Sequence, residues 1–304
     1  MNIFIDFDNT FFIENRDVDD AMALFFLLAQ KDVNIVGITS TYGNSTIEDV
    51  DACTLKLLKK LGLSEALYAK GGSCAGDYLS PASKLMADKA TEFSGDLTIV
   101  GLGSLTNFHG AYLYDPQFYN KVSQIILMGG TIAPLTFPKQ IMRELNFSCD
   151  PMASYSVLTK GQNVNIITGN ACLDVIFTRQ QYEDYFKDVK GPIVELIKHY
   201  SNPWFQDNYE EYGIEGFYNW DSIAAAYITH PELFHPNALT YPISVYGLST
   251  GSLVNTIEDI QAYQHSKPLQ EVVLNLPRIK DPKTLTEVLY QGWIQLEESL
   301  NYED

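Results

Sequence analysis

The chain has 304 residues, 46% of them hydrophobic and 19% charged, a balance that fits a soluble globular protein with a substantial core. Its 38 acidic against 20 basic residues leave a net charge of −18, which argues against a nucleic-acid polymer as partner, because phosphate binding needs clustered Lys and Arg. No run approaches the ~18 consecutive apolar residues of a membrane span, so no membrane partner is expected. The acidity is compatible with a cation site or with solubility alone.

The first apolar run, "NIFI", stops at Asp6. No basic region or small-residue cleavage site precedes it, so no leader is read and a cytoplasmic address is expected. Residues 17–30, "DVDDAMALFFLLAQ", read as a helix with acids in its first turn, and "NIVGITST" (34–41) as a strand. Ser45, with Glu48 three residues on, predicts a capping box for a helix reaching about Leu61. Strands are expected at 97–103, 123–130 and 163–170, and helices from about Leu105 and over 150–161. Residues 70–83, 130–150 and the aromatic stretch 199–219 read as long loops, which in compact domains are often active-site walls. The β-α-β-α alternation of nearly continuous apolar strands predicts an α/β fold: one domain over 1–304, with a mostly parallel central sheet flanked by helices. Cys53, Cys74, Cys149 and Cys172 form no CxxC pair and are expected to be reduced.

In such sheets ligands bind beyond the carboxyl ends of the strands. Asp6 and Asp8, Asn44, the segment 105–107 and Gly129–Gly130 all fall at expected strand ends, with Asp19 and Asp20 opening the next helix. First-turn acids alone are ordinary helix-dipole partners. Asp8, Asp19 and Asp20 together would repel one another unless a cation or protons intervene, and oxygen ligands without His or Cys point to Ca²⁺ or Mg²⁺. The stretch Asp6-Phe7-Asp8-Asn9-Thr10 also resembles haloacid-dehalogenase-type phosphatases, with Asp6 as nucleophile; the chain supplies neither their strand-end lysine nor their second acidic pair.

The order of motifs resembles the inosine–uridine-preferring nucleoside hydrolases. Asp6-Phe7-Asp8, then Asp19-Asp20-Ala21-Met22-Ala23-Leu24, "ITSTYGN" ending at Asn44, "GLGSLTN" (101–107), "ILMGG" (126–130), "RELNFSCDPMAS" (143–154) and "WDSIAAAY" (220–227) carry the resemblance to about residue 230, and "LQEVVLNL" (269–276) carries it more weakly. It implies hydrolysis of the N-glycosidic bond of a ribonucleoside with Ca²⁺ as cofactor, in the setting of nucleoside salvage. The implied metal ligands are Asp8, Asp20, Asp221 and the main-chain carbonyl of Leu102. Asp8 would take the proton of the attacking water and Asp19 would hold a ribose hydroxyl. Asn44, Glu144 and Asn146 would hold the sugar, with Met128 on its 5′ side. Trp220 stands where many members carry a histidine and, with Arg143-Glu144, resembles the purine-preferring branch; Tyr78 is a candidate for the other side of the base. None of the five histidines (His109, His199, His230, His235, His265) occupies a matching acid position. Relatives of this type are commonly dimers or tetramers, so a homo-oligomer is expected.

Two features depart from that pattern. Ten residues, "NTFFIENRDV", separate Asp8 from Asp19 where the family usually has three, so Asp17 offers an alternative register; Asp8 is preferred because it follows the strand. The loop after Gly130 lacks the asparagine that relatives tend to carry there. A weakened ribose- or nucleoside-binding protein of the same fold is therefore the other alternative.

Overall fold

In the computed structural model, which describes residues 1–254 and 270–300, the apolar runs assemble into one eight-stranded sheet. Its strands are β1 (Asn2–Phe7), β2 (Asn34–Ser40), β3 (Tyr68–Ala69), β4 (Leu97–Gly101), β5 (Gln124–Met128), β6 (Val164–Ile167), β7 (Ala238–Ile243) and β8 (Gln270–Asn275). They lie in the order β7-β8-β6-β5-β4-β1-β2-β3. Every pairing is parallel except β7 with β8. The chain runs outward from β1 through β2 to β3, then returns to place β4 on the other side of β1. The crevice at this reversal is where open α/β sheets bind ligands.

The main helices are α1 (Asp19–Leu28), α2 (Ile47–Lys60), α3 (Pro81–Glu92), α4 (Thr106–Tyr114), α5 (Pro151–Lys160), α6 (Pro192–Tyr212), α7 (Trp220–Thr229) and α8 (Pro282–Leu300). Strand side chains alternate between two cores. Ile3, Ile5 and Phe7 join α1, α6, α7 and α8 on one face, whereas Phe4, Ile99 and Ile125 join α3, α4 and α5 on the other. Helix α1 buries nine of its ten residues, as its apolar composition on all sides requires. Trp293 of α8 is fully buried against it and donates its indole N–H to the Met22 carbonyl at 2.9 Å.

Three expectations are adjusted. The cap of α2 is Thr46, whose hydroxyl accepts the Asp49 amide, while Ser45 donates to the Asp49 carboxylate; the capping pair sits one residue later than read. Loop 130–150 contains a small hairpin pairing 135–136 with 141–142 and a helical turn over 146–149. Most of the aromatic "loop" 199–219 is the second half of α6, which contains Pro203. That proline lacks an N–H, but burial of Ser201, Phe205 and Asn208 carries the helix through it. No disulfide forms among the described cysteines; Cys53 and Cys172 are buried and Cys74 is exposed. No described helix is long and apolar enough to cross a membrane. His265 lies outside the described residues.

Because Trp293 fixes the helix that presents Asp19 and Asp20, Trp293→Ala is expected to cost about 3–5 kcal/mol of stability, measured as a lowered urea midpoint.

Candidate active site

Two helix N-termini meet at the sheet's reversal point. Asp19 and Asp20 form the first turn of α1, and Asp221 lies in the first turn of α7, two residues past the Asn219 cap position. The three carboxylates, each at most 3% exposed, bring oxygens to within 4.8 Å of one another. The helices are also tied directly, because the Asp221 amide donates to Asp19 Oδ2 at 3.1 Å. Unpaired N–H groups and the positive ends of two helix dipoles offset part of the repulsion.

Asp8, at the end of β1, is buried beside this trio but outside it. Its amide donates to Asp20 Oδ1 at 3.2 Å. Its carboxylate is engaged by Asn44, which donates its backbone N–H to Oδ2 at 2.8 Å and its side-chain amide to Oδ1 at 3.1 Å. Gly43 and Gly103 crowd the same carboxylate so closely that a Cβ at either would meet it at 1.9 and 3.0 Å. Asp6 faces inward, accepting from Thr39 at 2.7 Å and Asn107 at 2.8 Å.

A pocket opens above the trio, lined by Asp17, Asp19, Asn44, Leu102, Met128 and Asp221 on its acidic side. Asn146 braces that side, donating to the carbonyls of Leu102 at 2.9 Å and Met128 at 3.0 Å. Glu144 also lines the pocket and fastens its rim, accepting from the amides of Gly130, Phe147 and Ser148. Trp220 lines the wall, its ring centroid 5.0 Å from that of Tyr218. Tyr78 is not among the lining residues; its hydroxyl donates to Asp150 and its ring packs edge-on against His109. The sequence reading missed Trp204, Asn208 and Tyr212, which all line the pocket. Their i, i+4, i+8 spacing is the signature of one helix face, obscured by Pro203. The Trp204 indole N–H is buried and has no partner among the described residues.

Burial dominates the electrostatics. It raises the Asp6, Asp8 and Asp19 carboxyls to about 7, with neighbouring carboxylate charges adding to the rise at Asp8 and Asp19. It holds Asp17, Asp20 and Asp221 well above the usual range, reinforced by the charges of neighbouring carboxylates. Two oxygens bound to one calcium at its usual ~2.3–2.6 Å are at most ~5 Å apart, so the trio's spacing fits such an ion. The buried Asp20 Oδ2, with no hydrogen-bond partner among the described residues, is the orphan acceptor a cation would satisfy. The all-oxygen donor set suits a hard cation rather than zinc.

The model of the inosine-uridine preferring nucleoside hydrolases matches residues 3–280. The Oryza sativa subsp. japonica protein named Probable uridine nucleosidase 1 is 25% identical over 264 residues, which cover 77% of this chain and 80% of that protein. Among solved structures, a plant nucleoside hydrolase, PpNRh1, superposes with a TM-score of 0.78 at 21% identity, over 96% of this chain and 98% of its own. A purine-preferring ribonucleoside hydrolase from Gardnerella vaginalis gives 0.77 at 20% identity, over 98% and 100%. These two likenesses establish the fold. The chain belongs to the inosine-uridine preferring nucleoside hydrolase family, N-glycosyl hydrolases that cleave ribonucleosides. That assignment leaves the phosphatase reading without support, and Asp6 does not line the pocket.

The buried acids dictate a pH dependence. A carboxyl at about 7 when folded and 3.8 otherwise, as for Asp19, keeps its proton in the folded state where the unfolded chain has lost it. Stability contributed this way is present at low pH and is lost as pH rises towards 7. In chelator, the melting temperature is expected to fall between pH 4.5 and 7.5, and to fall less steeply in Asp19→Asn; a flat wild-type profile would contradict this.

Proposed function

We propose that the protein hydrolyses ribonucleosides, purine nucleosides such as inosine in preference, to ribose and free base with Ca²⁺ as cofactor. The observation that carries this reading is the meeting of Asp19, Asp20 and Asp221 beneath a pocket whose wall includes Trp220. Asp20, Asp221 and the Leu102 carbonyl would hold the cation, with Asp8, tied to Asp20 through its amide, as the further ligand. Bound there, the ion would supply a positive charge that orients a water and lowers its pKa.

The side chains do the rest. Cleavage builds positive charge on the ribose ring, which this concentration of carboxylates stabilises. Asp8, held by both nitrogens of Asn44, is the proton acceptor. Asp19 and Asn44 hold ribose hydroxyls, and Glu144 and Asn146 fix the sugar by bracing the rim they also line. Met128 closes the 5′ side. Holding the ribose this way positions its anomeric carbon for attack. Trp220 stacks on the base and so makes a purine easier to protonate from solvent, while the unpartnered Trp204 N–H offers a donor to a ring acceptor. Assembly as a dimer or tetramer belongs to the same reading and rests on the family resemblance.

A weakened nucleoside binder is the second reading, favoured by the engagement of Asp8 with Asn44 outside the trio. Saturable thermal stabilisation by inosine without turnover would select it.

Incubation with inosine and with uridine, with and without chelator, is expected to release hypoxanthine faster than uracil, and chelator is expected to abolish both. No free base from any nucleoside would overturn the activity, and faster uridine cleavage would overturn the purine preference. Asp20→Asn should lower kcat/KM by about 10²–10³, the scale of losing one electrostatic stabiliser. Trp220→Ala should remove stacking of about 1–3 kcal/mol, so inosine kcat/KM falls more than uridine kcat/KM.

A further inference from the structure

The ten residues between Asp8 and Asp19 form a built loop that carries a carboxylate, Asp17, at its penultimate position. Phe11 is fully buried, packing edge-on against Phe25 of α1 at 5.6 Å and tilted against Tyr200 of α6 at 5.1 Å. Lys56 of α2 sits 4.2 Å from the Phe12 ring centroid. Thr10 donates its hydroxyl to the Asp17 carbonyl at 3.0 Å, which closes the loop on itself. Arg16 donates to the Asn44 carbonyl at 3.2 Å, tying the loop to the residue that holds Asp8.

This scaffold fixes Asp17 on the pocket side. Asp17 Oδ1 accepts from the amides of Val18 at 2.8 Å and Asp19 at 3.4 Å, so the carboxylate is oriented at the very start of α1. Asp17 lines the pocket together with Asp19 and Asp221, whereas Asp8 and Asp20 do not. The trio beneath it contains a carboxylate oxygen, Asp20 Oδ2, that is buried without a partner among the described residues. A loop anchored by two aromatic residues and carrying an oriented acid over such a cluster is more than a tolerated insertion.

We infer that Asp17 is a fourth carboxylate of the cation site, joining Asp8, Asp20 and Asp221 and delivered from the pocket side by the 9–18 loop. This rests on the cation reading given under Proposed function and adds a residue to it. More ligand charge tightens a hard-cation site, and here the extra charge faces the side from which a nucleoside would enter.

Calorimetric titration of the full chain with CaCl₂, after chelation and dialysis, tests it. Asp17→Asn keeps an Oδ1 acceptor for the two amides, so the loop's local bonds survive. Its calcium Kd is expected to rise about tenfold or more, while Glu14→Gln, an equal charge change on the exposed part of the same loop, leaves Kd unchanged. In chelator, Asp17→Asn should melt no lower than wild type, because the amide keeps the Oδ1 acceptor; a merely structural Asp17 would lower that melting point instead. Unchanged calcium affinity in Asp17→Asn would overturn this inference alone. A wild-type protein that takes up no calcium would overturn the cation reading and this inference with it.

Discussion

Like charges forced into one buried place are the constraint on which the rest of this structure depends. Asp8, Asp19, Asp20 and Asp221 are each at most 3% exposed, and Asp17 lies beside them. No lysine or arginine forms an ion pair with any of them among the described residues. Such an arrangement costs free energy in the resting protein. It is tolerated because two helices point their N-termini at it and because the flanking core is dense enough to hold those helices still. Burial strained in this way is characteristic of functional sites.

The fold explains how distant residues reach that place. The reversal of strand order between β1 and β4 opens one crevice, and Asp8, Asn44, Leu102 and Met128 reach it from the ends of β1, β2, β4 and β5. Helices α1 and α7 pack side by side on the same face of the sheet, which sets the residue pair 19–20 beside residue 221. The acidic floor comes from strand ends and helix starts, the aromatic wall from α6 and the first residue of α7, so that Trp220 of the wall and Asp221 of the floor are neighbours in one helical turn.

Much of this was legible in the sequence, for physical reasons. Continuous apolar strands announce a sheet buried on both faces, and acids at the start of an all-apolar helix, as at Asp19-Asp20, stand out because burying them is costly. The aromatic face of α6 was not legible, because Pro203 and the polar residues around it imitate a loop while tertiary packing supplies the helix. The pairing of Asp8 with Asn44 was equally hidden, since nothing local to "YGN" fixes which carboxylate its amide meets. Tyr78, in a loop whose path depends on Asp150, could not be placed by pattern alone. Asp17 was visible as an acid; its place on the pocket wall depends on how Phe11 anchors the loop before it.

A crystal structure of the protein grown with calcium tests the central claim most directly. The expected result is one ion bound by oxygens of Asp20 and Asp221 and by the Leu102 carbonyl at about 2.3–2.6 Å. Carboxylates that stay close together through shared protons, with water alone between them at neutral pH, would contradict it.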